Sequence, residues 1–123
     1  MGTYASCLMA LLLLSPAASA NPTVQEMAAR AKESLARDAT YEMKSVKAFW
    51  GDASFMQQCV PSDGPVPASF VIYFEVLPDG SLGSTVFDPL TPEAKCIREH
   101  TAHRTFPKPP GAYVTKIEMS FKP

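Results

Sequence analysis

The chain has 123 residues, with 11 lysines and arginines against 12 aspartates and glutamates, so its formal net charge is −1. All of these charges follow residue 20, and the two signs are mixed along the chain. Nucleic-acid-binding domains carry a clustered basic face, which this distribution does not offer, so we expect no nucleic-acid partner and no electrostatic membrane partner.

Residues 1–20 predict a signal peptide. An unbroken apolar run from Leu8 to Leu14 precedes small residues that end in Ala18-Ser19-Ala20, so we expect cleavage after Ala20. The run is too short for a transmembrane helix, which needs roughly 20 apolar residues. The residues before Leu8 include no lysine or arginine, so an uncleaved anchor is the alternative. Cleavage would leave one exported, soluble domain with no membrane span.

Two of the three cysteines, Cys59 and Cys96, follow the predicted signal peptide. An even number of cysteines in an exported chain predicts a disulfide. Closing a loop of roughly 40 residues could stabilise the fold by up to about 4 kcal/mol. Such a contribution matters in a small domain, whose total stability is on the order of 5–10 kcal/mol.

Residues 21–60 predict an N-terminal helical segment. Thr23 and Glu26 have the spacing of a capping box. A stripe of apolar residues then repeats at helical spacing and predicts an amphipathic helix over residues 24–37: Val24, Met27, Ala28, Ala31 and Leu35.

The helical pattern continues from Asp38 to Trp50, with apolar residues at Ala39, Met43, Val46 and Trp50. One kinked helix and two helices separated at Asp38 both fit this pattern. We expect Trp50 to lie in the core or to anchor a helix against it. Gly51 is expected to end the segment.

The strongest predicted strand covers Phe70–Leu77. It is hydrophobic on both faces, which is typical of the central strand of a sheet. Pro78-Asp79-Gly80 predicts a hairpin turn. The following residues, 81–87, are expected to pair back, with Gly83 as a possible bulge.

A second helical signal begins at Thr91, a good N-cap that precedes Pro92. The expected buried stripe is Leu90, Ala94, Ile97 and Thr101, and the helix should end near His103 or Arg104. The proline-rich segment Phe106–Gly111 is incompatible with a helix or a central strand. Residues 113–121 then alternate between apolar and polar side chains, as an edge strand does.

These elements predict an α+β fold, in which one or two N-terminal helices precede a β-β-α-β unit with a three-stranded antiparallel sheet. Cys96, His100 and His103 would share one face of the second helical segment and could bind zinc or copper. The competing interpretation is an oxidised Cys96 with two solvated histidines. Because the sequence contains no Gly-x-Ser-x-Gly elbow and no suggestive carboxylate pair, we predict no enzymatic activity and no cofactor.

Residues 68–123 resemble the TonB C-terminal domain superfamily, in particular the stand-alone periplasmic AgmX/PglI-like variant. The residues that carry the resemblance, with Cys59 ahead of the first strand, are Asp79-Gly80, Val86, Cys96-Ile97, Phe106-Pro107-Lys108-Pro109-Pro110-Gly111 and Phe121-Lys122-Pro123. The chain differs from TonB itself, because it has no long proline-rich spacer and no anchor is expected after cleavage.

The resemblance implies a periplasmic, non-catalytic module that binds a protein partner of the cell envelope. TonB-like domains add a partner peptide beside their last strand, where backbone hydrogen bonds provide affinity and alternating side-chain pockets provide specificity. The corresponding residues here are Tyr113, Val114, Thr115, Lys116, Ile117, Glu118 and Met119. The alternative is a small periplasmic protein that binds a ligand or metal through His100 and His103.

Overall fold

The computed structural model describes residues 21–122, so the predicted signal peptide lies outside the described residues. The fold is α+β, as predicted. Its elements in chain order are the helices α1 (Val24–Arg37), α2 (Ala39–Trp50) and α3 (Ser54–Cys59), the strands β1 (Phe70–Val76) and β2 (Leu82–Asp88), the helix α4 (Pro92–Thr101) and the strand β3 (Tyr113–Met119).

Residues 24–50 form two helices, because the chain breaks at Asp38. The Asp38 N–H donates to the Ser34 carbonyl at 2.9 Å and so closes α1. The Asp38 carboxylate then accepts from the Tyr41 N–H at 3.0 Å and caps α2. The capping box predicted at the start of α1 is confirmed, with Thr23 and Glu26 bonded to each other's backbone.

The sheet has the order β2-β1-β3, with both pairs antiparallel, so β1 is the central strand as its sequence predicts. Ile72 lies opposite Phe87 on one side and Ile117 on the other. The register of β1 with β2 shifts opposite Glu75, where the bulge predicted at Gly83 is found. A Cβ at Gly83 would displace the Glu75 carboxylate, so glycine allows this close approach.

The hairpin turn after β1 is joined to the proline-rich segment. Gly80 has a φ of 89° and donates its N–H to the Leu77 carbonyl at 2.8 Å. Its own carbonyl accepts from the Phe106 N–H at 2.8 Å. A Cβ at Gly80 would lie 2.4 Å from the Phe106 carbonyl oxygen, so both the φ angle and the contact require glycine.

Alternation along the strands gives the sheet two buried faces. The first face packs against α2, α3 and α4 and forms the main core, which includes Phe49, Phe55, Phe70, Ile72, Phe74, Ile97, Phe106 and Ile117. The second face packs against α1 alone, through a smaller cluster of Met27, Ala31, Tyr73 and Val114.

The apolar stripe predicted for α2 is exposed at three of its four residues, Ala39, Met43 and Trp50. Met43 is 74% exposed and Trp50 is 39% exposed, so Trp50 lies at the rim of the core, edge-on to Phe49. The helix instead buries Tyr41, Ser45 and Phe49. The Ser45 hydroxyl lies 2.7 Å from the Thr115 hydroxyl, which makes a polar side chain suitable for this buried position.

Two other predicted core residues are exposed as well. Leu90 precedes α4 and is 51% exposed, and Leu35 of α1 is 47% exposed. The remaining members of the stripe on α4, namely Ala94, Ile97 and Thr101, are buried as predicted. Helix α4 ends at Thr101, slightly before the predicted position.

Candidate partner-binding edge and groove

Strand β3 lies at an edge of the sheet and has the predicted alternation. Lys116 and Glu118 are exposed, whereas the other residues of the strand are buried: Tyr113, Val114, Thr115, Ile117 and Met119. The two exposed side chains form an ion pair at 3.1 Å. The strand therefore has one fully buried face, and its other face is polar and exposed from Lys116 onward.

The backbone amides of β3 divide into two sets. The Val114 N–H donates to the Ser34 hydroxyl at 3.1 Å and so points away from β1. Alternate amides of a strand point to the same side. The amides of Lys116 and Glu118 therefore also point outward, and the Ile117 amide points toward β1.

The corner between α1 and α2 covers the beginning of this edge. Besides the Ser34 contact, the Tyr113 hydroxyl donates to the Asp38 carbonyl at 2.8 Å, and Arg37 donates to the Ala112 carbonyl at 3.1 Å. An added strand could not pair at Val114 without displacing Ser34. The outward amide of Lys116 is directed at the Glu42 carboxylate of α2. The predicted edge of seven residues is thus accessible only near its end, at the outward amide of Glu118.

A groove of 490 Å³ lies between α1 and the second half of β3. Small apolar residues of α1 and the ring of Tyr73 line one part, and charged residues line the other. The lining residues are Ala28, Ala31, Lys32, Leu35, Glu42, Tyr73, Lys116 and Glu118. The exposure of Leu35 is explained by its position in this groove.

Glu42 of α2 brings a carboxylate to the groove. Its Oε1 atom is buried and accepts no hydrogen bond from residues 21–122. Burial raises the pKa of the Glu42 carboxyl, although the nearby Tyr113 hydroxyl and Lys116 amide act in the opposite direction. The Tyr113 proton is already donated to the Asp38 carbonyl, so it is not free to satisfy this oxygen.

The predicted disulfide is present: Cys59 of α3 is bonded to Cys96 of α4, with an S–S distance of 2.02 Å. The ligand atoms of both cysteines and of His100 lie within 4.8 Å of one another. His103 follows the end of α4 at Thr101, so the prediction that it shares a helix face with Cys96 and His100 is wrong. In the disulfide the sulfurs are not thiolates, the form in which cysteine binds metals.

Arg104 has a different role from the predicted one. The sequence placed it at the C-terminus of its own helix, but its guanidinium donates to the Phe49 carbonyl at 2.6 Å and to the Asp52 carbonyl. It also lies over the rings of Phe49 and Phe55, at 5.6 and 5.2 Å from their centres. Arg104 therefore caps α2 and holds α2 and α3 together.

Ser34, Leu35 and Glu42 have no sequence signal for a role at the groove. Each fits the ordinary pattern of its own helix, and only the corner at Asp38 brings them to β3. The sequence predicted the strand and both helices, but it did not predict that the corner between the helices covers part of the strand.

Comparisons of the chain with protein-family models, with curated proteins and with solved structures gave no match. The resemblance to TonB C-terminal domains thus depends on the sequence motifs described above and stays a prediction. Within residues 21–122, no helix is both long and apolar enough to cross a membrane.

Proposed function

We propose that this chain is an exported, periplasmic protein-interaction module that binds an extended segment of a cell-envelope protein beside β3. The observation that supports the proposal is the outer edge of β3 at Glu118, whose amide points outward next to the 490 Å³ groove. The resemblance to TonB C-terminal domains implies the same strand as the binding edge. The Cys59–Cys96 disulfide is in keeping with export.

In this proposal the partner adds a short strand to the sheet. Its backbone pairs with β3 at Glu118, and its alternate side chains point into the groove beside α1. Because Ser34 and Glu42 face the amides of Val114 and Lys116, the paired stretch is short. Apolar contact with Ala28, Ala31 and Leu35 would supply the remaining affinity. No catalytic step and no cofactor are part of this function.

Capture of partners from a cell-envelope extract of the source organism tests the proposal with a matched pair of variants, Glu118→Pro and Glu118→Ala. Both remove the charge, but only proline removes the outward amide. Ile117→Pro is unsuitable, because the Ile117 amide points toward β1 and its loss would disrupt the sheet itself.

We expect Glu118→Ala to capture the same proteins as the unmodified chain and Glu118→Pro to lose them. Thermal unfolding of both variants checks that each one folds. Equal capture by the two folded variants would show that the partner does not pair with this edge.

A second candidate function is metal binding, which the proximity of Cys59, Cys96 and His100 favours. These residues offer two sulfurs and one imidazole, a set suited to zinc or copper if the thiols are reduced. Metal analysis of the purified native protein, together with a thiol count, tests this candidate. Bound metal with free thiols would support it, and metal-free protein without free thiols would exclude it.

A further inference from the structure

The groove beside β3 contains a carboxylate with one oxygen that lacks a hydrogen-bond donor. Glu42 Oε1 is buried and unpartnered among residues 21–122. A buried polar atom without a partner costs free energy, of the order of 1–3 kcal/mol and more when it is charged. A bound molecule that supplies a donor would recover that cost.

The other charges of the groove do not supply this donor. The Lys116 ammonium is paired with Glu118 at 3.1 Å. Lys32 is exposed, and the ion pairs found within residues 21–122 include neither Lys32 nor Glu42. The Tyr113 hydroxyl donates to the Asp38 carbonyl at 2.8 Å. Glu42 is therefore the acidic residue of the groove without an ion-pair partner in residues 21–122, and the Lys116 amide that faces its carboxylate leaves Oε1 without a donor.

We propose that the segment bound beside β3 carries a lysine or arginine side chain that donates to the Glu42 carboxylate, with apolar side chains directed toward α1. This inference rests on the function proposed above and names the chemistry of its partner. The occupant is an extended peptide with one basic residue at a fixed position relative to the strand. Its apolar residues contact Ala28, Ala31 and Leu35.

A basic side chain fits Glu42 better than a neutral donor does. Hydrogen bonds between an ammonium or guanidinium and a carboxylate are about twice as strong as neutral ones. The added cation also stabilises the ionised carboxylate in a place where burial disfavours it. An acidic side chain at the same position would be repelled, so the site discriminates by charge.

A display library of short random peptides provides the test. Selections are run in parallel on the unmodified protein, on Glu42→Gln, on Lys44→Gln and on Glu118→Pro. We expect the unmodified protein to enrich lysine or arginine at one position among apolar residues. Glu42→Gln should lose that positional preference and keep the apolar one. Lys44→Gln changes an exposed charge of α2 outside the groove and should keep both.

A synthetic peptide from the selection gives the quantitative measurement. Replacing its basic residue with norleucine should weaken binding to the unmodified protein by roughly tenfold or more, the effect of losing a hydrogen bond to a charged group. The same replacement should have little effect on binding to Glu42→Gln.

The outcomes separate this inference from the proposed function. Selected peptides that bind the unmodified protein but not Glu118→Pro would support binding at the edge. If these peptides show no basic preference, or show the same preference on Glu42→Gln, the proposed role of Glu42 is wrong. If no peptide is enriched on the unmodified protein over Glu118→Pro, both are wrong.

Discussion

The two faces of the sheet are covered in different ways. Three helices, a disulfide and a cluster of aromatic side chains cover the first face. A single helix, α1, covers the second face, and its buried cluster is formed by Met27, Ala31, Tyr73 and Val114. A helix with its side chains is about 10–12 Å wide, so one helix leaves part of a three-stranded sheet uncovered.

We therefore expect the first face to contribute more to stability, whereas the second face is the one accessible to a partner. The first face buries large aromatic rings, for example Phe74, whose ring centre lies 4.9 Å from that of Phe106. The second face leaves the groove beside β3 open, with Leu35 in contact with solvent. Four predictions test whether the faces differ as described.

The largest expected effect comes from removing an aromatic ring from the first face. Phe74→Ala should lower the free energy of unfolding by about 4 kcal/mol, because the buried apolar ring is lost and a cavity remains where it was. Met27→Ala on the second face should cost about 2–3 kcal/mol. Denaturant unfolding of both variants measures the difference. A larger loss for Met27→Ala would reverse the assignment of stability to the first face.

The disulfide should have the next largest effect. Its removal in the double variant Cys59→Ala, Cys96→Ala should lower the free energy of unfolding by about 2–4 kcal/mol, mainly by freeing the unfolded chain. Unfolding of the unmodified protein with and without a dithiol reductant provides an independent measurement. If reduction leaves the unfolding midpoint unchanged, the bridge does not stabilise the first face.

A smaller effect is expected at the polar pair inside the first face. The Ser45 hydroxyl donates to the Glu42 carbonyl at 3.0 Å, so the Thr115 hydroxyl must donate to Ser45. Ser45→Ala leaves the Thr115 hydroxyl buried without a partner and should cost about 1–3 kcal/mol.

The matched control for this prediction removes both hydroxyls. In the double variant Ser45→Ala, Thr115→Val, no buried group is left without its partner, so most of the lost stability should return. Additive losses in the double variant would mean that the two hydroxyls are stabilised independently.

The smallest effect concerns Glu42 and depends on pH. Burial raises the pKa of this carboxyl above its ordinary value of 4.5, so the folded protein holds the proton more tightly than the unfolded chain does. The free energy of unfolding should therefore fall as the pH rises from the ordinary pKa of the carboxyl through its raised pKa in the folded protein. Glu42→Gln should lose this part of the pH dependence and be the more stable protein at neutral pH. Parallel pH dependences for the two proteins would contradict the burial of a charged Glu42.

Most of the fold follows from local patterns in the sequence. The two apolar faces of β1 predicted its central position, and the Thr23 and Thr91 caps predicted the starts of α1 and α4. The cysteine count predicted the disulfide. In each case the physical cause lies within a few neighbouring residues or in a simple pairing rule.

The inner face of α2 and the covered part of β3 could not be predicted in this way. Ser45 is buried because Thr115, distant in sequence, satisfies its hydroxyl. Ser34 closes the edge at Val114 only because the chain turns at Asp38. Polar residues whose partners come from another element look like surface residues in a local pattern.

The position of the disulfide in the chain divides the molecule in another way. The ring that it closes contains β1 and β2, and both α1 and β3 lie on the tails outside it. The groove is built largely from these two tail elements and not from the ring. Local opening of the groove can thus occur while the covalently enclosed hairpin stays paired. In hydrogen exchange, we expect the outer amides of β3 and those of α1 to lose protection before the amides shared by β1 and β2.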